Sequence, residues 1–106
     1  MSQTAYGIFT LDGDNRINAS FTTTDGRNKS FLTTVSPALP TFTTSKAKVK
    51  YDHLSQLTST HSFSGQIGTL TFKLTLDNGP IIEGDVNQPG VIPAISVTGD
   101  GVWEDS

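Results

Sequence analysis

Cysteine is absent from the sequence, and its absence excludes several kinds of chemistry at once. Disulfide bonds, thiolate nucleophiles and thiolate metal ligands all require cysteine. Charged residues are also scarce, at 16% of the 106 residues, and the formal net charge is -3. A nucleic-acid-binding protein needs many lysines and arginines to displace counterions from phosphates. We therefore expect no nucleic-acid partner.

Long apolar runs are also missing. A helix that crosses a bilayer needs about 20 consecutive apolar residues, and no stretch of the sequence approaches that length, so we predict no transmembrane segment. The opening residues MSQTAYGIF lack the basic and apolar regions of a signal peptide. This start fits either a cytosolic chain or the mature form of an exported one, and it leaves the compartment open.

Short alternations of apolar and polar residues recur along the chain, and each predicts a strand with one buried face. One strand is predicted from Thr41 to Tyr51, and a last strand is predicted over residues 91–97, with Thr98 to Gly101 leading on to Val102 and Trp103. The residues predicted to point inward on the clearest strands are Ile17, Ala19 and Phe21; Phe31, Thr33 and Val35; Ala47, Val49 and Tyr51; Leu70, Phe72, Leu74 and Leu76; and Ile82, Gly84 and Val86.

Turn residues separate these strands. Asp25-Gly26 and Pro89-Gly90 predict turns, and Asn78-Gly79 predicts a two-residue hairpin of type I′, which needs positive φ at both positions. The period changes over residues 52–58, where Asp52 is a candidate helix cap and Leu54 and Leu57 fall three residues apart. That spacing predicts one short helix or 3₁₀ turn.

Together these signals predict an all-β fold of about eight short strands in one domain, residues 1–106. We favour a compact closed antiparallel barrel, because closure removes the unpaired strand edges that so many short strands would otherwise expose. The alternative is a β-sandwich.

No catalytic or metal motif stands out. Ser64 in FSGQIG lacks the flanking glycines of a nucleophile elbow, and the neighbouring carboxylates Glu83 and Asp85 are more typical of a solvated strand than of an acid-base pair. His53 and His61 lack the spacing of zinc ligands. The chain is therefore predicted not to be an enzyme and to bind no metal or cofactor.

Two features are candidate binding elements. On an extended strand Lys46, Lys48 and Lys50 emerge on one face about 6.7 Å apart, where they could bind acidic lipid headgroups or another anion or simply keep a strand solvated and resistant to aggregation. Trp103, the one tryptophan, is either a platform for stacking a sugar or a plug that closes the end of the barrel.

The C-terminal half of the chain resembles the virulence-associated protein (VapA-like) family of small secreted actinobacterial proteins. The resemblance runs from DHLSQL through GTLTFKLTLD and IIEGDV to PGVIPAISVTGDGVW. It implies an eight-stranded barrel with a short helix, without a deep ligand pocket or enzymatic activity. It also implies secretion and action as an effector on acidic phospholipids or endolysosomal compartments of a host.

A second resemblance is confined to YGIFTLDGDNR, which is similar to the first strand of small calcium-dependent bacterial lectins. Their Asp- and Asn-rich double-calcium loop has no counterpart in this sequence, so only a calcium-independent lectin is a possibility. We therefore predict a non-catalytic binding or effector module that engages an acidic lipid or other anionic surface, with a carbohydrate-binding lectin as the alternative.

Overall fold

The computed structural model describes residues 3–12, 15–36, 44–87, 91 and 93–105. Over these residues the chain forms eight β-strands and one short 3₁₀ turn, Leu54–Gln56. The strands are β1 (Gln3–Asp12), β2 (Arg16–Thr22), β3 (Asn28–Ser36), β4 (Thr44–Tyr51), β5 (Thr60–Ile67), β6 (Thr71–Leu76), β7 (Ile81–Val86) and β8 (Ile95–Asp105).

The eight strands form a closed antiparallel barrel in the order β1-β2-β3-β8-β5-β6-β7-β4. Pairing between β1 and β4, the two ends of this order, closes the barrel, and Ala5 of β1 lies opposite Val49 of β4. β8 inserts between β3 and β5, and β4 pairs with β7 as well as with β1. The predicted all-β barrel is thus confirmed, and the β-sandwich is not formed.

Side chains fill the inside of the barrel, as expected for eight strands. Strict alternation places the predicted inner residues of β2 and β3 in the core, and Phe31 and Phe21 are among the largest fully buried side chains. The rings of Phe9 and Phe72 lie with their centroids 4.3 Å apart. The predicted inner faces of β4, β6 and β7 are buried too, over Ala47 to Tyr51, Phe72 to Leu76, and at Ile82 and Val86.

Two strand boundaries differ from the prediction. Leu70 was expected to face the core, but β6 begins one residue later, at Thr71, and Leu70 lies in a bend with its side chain 66% exposed. The last strand begins at Ile95 rather than at residue 91 and continues without a break through residues 98–101 to Asp105. Gly99 and Gly101 are therefore strand residues that pair with Val35 and Thr33 of β3.

The Asn78-Gly79 hairpin is also built differently. Gly79 has φ 116°, whereas Asn78 does not have a positive φ, so the predicted type I′ turn is wrong. The N–H of Gly79 donates to Leu76 O (3.2 Å), and the N–H of Leu76 donates to Pro80 O (2.9 Å). This is a three-residue loop that ends on a glycine, in which only the last residue needs the left-handed region. The turn at Gly26 repeats this construction, with φ 86° at the glycine.

The predicted 3₁₀ turn is present, but its N-cap is His53 and not Asp52. The side-chain oxygen of Gln56 accepts hydrogen bonds from the N–H groups of Asp52 (2.8 Å) and His53 (2.9 Å). These bonds hold the two residues before the turn against its last residue, and Asp52 lies one residue too early to be the N-cap. Leu57 after the turn is fully buried.

Some predicted features include residues outside the described part of the chain. These are the beginning of the strand predicted before Tyr51, at residues 41–43, and the Pro89-Gly90 turn.

Candidate functional site

The three lysines predicted to share a face do so. They alternate along β4 with the buried residues Ala47 and Val49, which directs Lys46, Lys48 and Lys50 outward. The structure therefore places these predicted binding residues together on the outside of the barrel. It also shows that β4 is not an edge strand, because β1 and β7 pair with its two sides.

The neighbouring strands extend this charged surface. Lys48 lies opposite Glu83 of β7, Glu83 lies opposite Lys73 of β6, and Lys46 lies opposite Asp85. Lys48 and Lys73 are thus separated by a single strand, about 10 Å between their Cα atoms. We call this surface the lysine face: Lys46, Lys48, Lys50, Lys73, Glu83 and Asp85.

Glu83 lies at the centre of the lysine face. Its Oε1 is 3.0 Å from Lys50 Nζ and 3.8 Å from Lys48 Nζ. The hydrogen bond from Lys50, together with the positive charges of Lys50, Lys48 and Lys73, holds the pKa of Glu83 below its usual range despite partial burial. Glu83 is therefore an internal anion that neutralises part of the face.

An exposed apolar pair borders the lysine face on β1. Tyr6 is 68% exposed and lies opposite Lys48, and Ile8, which is 59% exposed, points outward two residues further on. Together with Lys46 and Asp85, Tyr6 lines a shallow depression of about 160 Å³. Tyrosine and aliphatic side chains beside lysines are the combination found where proteins meet a membrane interface.

Trp103, the other predicted binding residue, lies in the core. Its side chain is only 5% exposed, and its ring packs 4.8 Å from Phe31 and 6.3 Å from Phe21 between centroids. With its faces covered, the indole offers no platform for stacking a sugar. Burial of the ring favours the alternative, in which Trp103 is a plug that closes the end of the barrel.

His61 takes part in a polar cluster at the end of the barrel that holds the 3₁₀ turn. Its Nδ1 is 2.8 Å from Asp77 Oδ1, and its Nε2 is 3.2 Å from Asn78 Nδ2. The hydroxyl of Ser62 donates to Asp77 Oδ2 (3.1 Å), so Ser62 is not positioned as a nucleophile activated by His61. The asparagine amide also donates to Gln56 O (3.0 Å). The cluster ties β5 to the β6–β7 turn.

Within the described ranges, no group of three or more His, Asp or Glu side chains could hold a metal ion. Over the same residues, none of the helices has the length and apolar character needed to cross a membrane.

Lys73, Tyr6 and Ile8 were not identified from the sequence as parts of this site. The outward direction of Lys73 followed from the alternation of β6. What could not be read from the sequence is the pairing of β7 with β4, which brings Lys73 next to the three lysines.

Comparison with known proteins gives no further guide, because no protein-family model, curated protein or solved structure matches this chain.

Proposed function

We propose that this protein is a non-catalytic binding module that attaches peripherally to acidic lipid surfaces through its lysine face. The observation that carries the proposal is the gathering of Lys46, Lys48, Lys50 and Lys73 on adjacent strands beside exposed Tyr6 and Ile8. The resemblance to virulence-associated proteins points the same way and suggests a host endolysosomal membrane as the target.

The charge distribution supports a specific face rather than general attraction. The lysine face has four of the seven cationic residues and only two of the ten carboxylates, while the rest of the chain has three cations and eight carboxylates. An acidic membrane would therefore orient the barrel, attracting one side and repelling the remainder. Each lysine near such a surface contributes about 1 kcal/mol, so four of them would give weak, salt-sensitive attachment.

Tyr6 and Ile8 would add a contribution that salt does not screen. Both side chains are more than half exposed on the strand next to Lys46 and Lys48. Partial insertion of these side chains among the headgroups removes apolar area from water. A protein held by both effects should retain some affinity at high salt, and Tyr6→Ser with Ile8→Ser should remove that part.

The test is flotation with vesicles of phosphatidylcholine alone or mixed with phosphatidylserine. The double variant Lys46→Gln/Lys73→Gln should bind the acidic vesicles about 25-fold more weakly, at roughly fivefold per lysine. The matched control Arg16→Gln/Arg27→Gln removes the same charge from other parts of the barrel and should bind like wild type. Equal binding to both vesicle types, or an equal loss in the control, would contradict the proposal.

Glu83 allows a second test in which binding should increase. Glu83→Gln frees Lys48 and Lys50 from their internal anion, so affinity for the acidic vesicles should rise several-fold. Glu104→Gln makes the same change of net charge on β8, across the barrel. If Glu104→Gln raised binding as much as Glu83→Gln, net charge rather than the lysine face would govern attachment.

A further inference from the structure

A second concave surface lies on the side of the barrel opposite the lysine face. β3 and β8 are the strands furthest from β4 and β7 in the barrel order, and together with β2 they form a groove of about 470 Å³. Seven outward-facing residues of the described chain supply its side chains: Arg16, Asn18, Leu32, Thr34, Asp100, Val102 and, from the start of β5, Thr60.

Strand register arranges these side chains in two rows. Arg16 lies opposite Thr34, and Thr34 lies opposite Asp100. A guanidinium and a carboxylate therefore face the groove from its two sides, about 10 Å apart at their Cα atoms, with a hydroxyl between them. Neither Arg16 nor Asp100 forms an ion pair within the described part of the chain.

The second row runs parallel to the first and is apolar at its centre. Asn18 lies opposite Leu32, Leu32 lies opposite Val102, and Val102 lies opposite Thr60 of β5. Leu32 is partly buried and Val102 is 37% exposed. The groove thus has an aliphatic strip flanked by an amide, hydroxyl groups and two opposite charges.

This chemistry disfavours several kinds of ligand. The groove has one positive and one negative group, so the attraction of a phosphate or a nucleic acid to Arg16 is offset by its repulsion from Asp100, and the groove gives such an anion no net electrostatic advantage. A peptide could not bind by strand addition, because every described strand is paired on both sides and leaves no free backbone edge. An uncharged ligand with both hydrogen-bond donors and acceptors and some apolar surface matches this lining.

We infer that this groove is a calcium-independent binding site for neutral carbohydrate. The carboxylate of Asp100 accepts hydrogen bonds from sugar hydroxyls, Arg16 donates to sugar oxygens, and the C–H face of the ring packs on Leu32 and Val102. Trp103 takes no part, and the site is independent of the lysine face.

The affinity should be low, because none of the described residues that line the groove is aromatic and a single sugar ring is a small ligand. We expect dissociation constants of about 1–10 mM for one sugar. Such weak binding is measured by titrating the ¹⁵N-labelled full chain and following its amide resonances by NMR. The sugars to test are glucose, mannose, galactose and N-acetylglucosamine, with glucuronate as the charged comparison.

The inference predicts saturable shifts for at least one neutral sugar, confined to amides of β2, β3, β8 and the start of β5 around the groove. Arg16→Gln and Asp100→Asn should each weaken that binding about tenfold. The controls Arg27→Gln and Glu104→Gln remove the same charged groups outside the groove lining and should change affinity less than twofold.

Three outcomes would overturn the inference. The first is the absence of saturable shifts with every neutral sugar. The second is a set of shifts outside the groove or insensitive to both groove variants. The third is preferential binding of glucuronate that Asp100→Asn strengthens, since this would identify an anion site. Vesicle flotation of the groove variants tests whether the groove and the lysine face are independent sites. If they are, Asp100→Asn should leave lipid binding within twofold of wild type.

Discussion

Two inward-facing glycines of β8 leave space that phenylalanine rings from the neighbouring strands occupy. A Cβ on Gly99 would lie 2.3 Å from the carbonyl oxygen of Thr34 and 3.0 Å from the ring of Phe63, and one on Gly101 would lie 2.3 Å from the ring of Phe31. An aromatic ring that covers a strand glycine restores the packing that the missing side chain would have provided. The ring of Phe31 has little room to move, since Trp103 and Phe63 pack against it.

Adding a methyl group at Gly101 should therefore be destabilising. Gly101→Ala would overpack a site where Phe31 is fully buried, and we expect it to lower the free energy of unfolding by about 2–3 kcal/mol. The measurement is urea denaturation followed by fluorescence of Trp103. Gly68→Ala is the matched control, because its added Cβ would make only ordinary contacts at 3.4 and 3.6 Å. Equal stability of the two variants would show that Phe31 does not fill the space over Gly101.

These glycines also explain why one element was delimited incorrectly from the sequence. Glycine weakens a strand and usually marks a bulge or turn, so residues 98–101 were not included in the last predicted strand. The rings of Phe63 and Phe31 supply the packing that makes a continuous strand stable there. This compensation comes from β5 and β3, which are distant in the chain, and no local pattern in β8 reveals it.

The burial of Lys29 could not be predicted from the alternation of apolar and polar residues either. Lys29 is 4% exposed at the start of β3, where its ammonium group pairs with Asp105 at the end of β8. The sequence placed Lys29 in a strand but gave no sign that an aspartate 76 residues away would lie beside it. Burial of lysine is tolerated only with such a partner.

At the scale of elements, Asp77 links the β6–β7 turn to the beginning of β5. Its carboxylate accepts hydrogen bonds from His61 Nδ1, Ser62 N and Ser62 Oγ. Burial alone would raise the pKa of Asp77, but these hydrogen bonds and the electrostatic attraction of His61 outweigh burial and hold the pKa below its ordinary value of 3.8. The folded state therefore prefers the ionised carboxylate.

This preference predicts an acid-dependent stability. A carboxylate whose pKa is lower in the folded state stabilises the fold above the unfolded-state pKa, and the contribution is lost as the pH falls through the folded-state value. Asp77→Asn should consequently be less stable than wild type at neutral pH, and the difference should shrink as the pH falls below 3.8. Thermal unfolding measured from pH 7 downward tests this.

The control for Asp77 is Asp52→Asn, which removes an exposed carboxylate before the 3₁₀ turn. Asp52 takes no part in the hydrogen bonds between Asp77 and β5. A difference between Asp77→Asn and wild type that stayed constant across the acid range would mean that the carboxylate charge does not contribute to the link.

Elements defined by local sequence patterns could be predicted, whereas features that depend on contacts between distant segments of the chain could not. Strands with one buried face have a period of two, which is why the inner residues of β2 and β3 were identified from the sequence. The insertion of β8 between β3 and β5 depends on pairing between distant segments, which periodicity does not specify. The candidate site shares this limit, because Lys73 joins the lysine face, and Tyr6 borders it, only through the strand order.

At the scale of the whole molecule, closure of the barrel changes the interpretation of the β4 lysines. Lysines on an edge strand protect it from pairing with another chain. In the barrel β4 has partners on both sides, so it has no free edge to protect. A role for these lysines in preventing edge-to-edge aggregation therefore loses its structural basis, while a role in binding or in simple solvation does not.

The fold should accordingly tolerate the loss of all three lysines. Lys46→Gln/Lys48→Gln/Lys50→Gln replaces outward-facing side chains and breaks only the surface pairs with Glu83, each worth at most about 1 kcal/mol. Relief of repulsion among the three ammonium groups offsets part of that loss. We expect the free energy of unfolding in urea to change by less than about 1 kcal/mol and the elution volume in size exclusion to stay that of wild type. If the triple variant unfolds or aggregates, the lysines are needed for the stability of the fold. If it is stable but no longer floats with acidic vesicles, the lysines are needed for binding and not for folding.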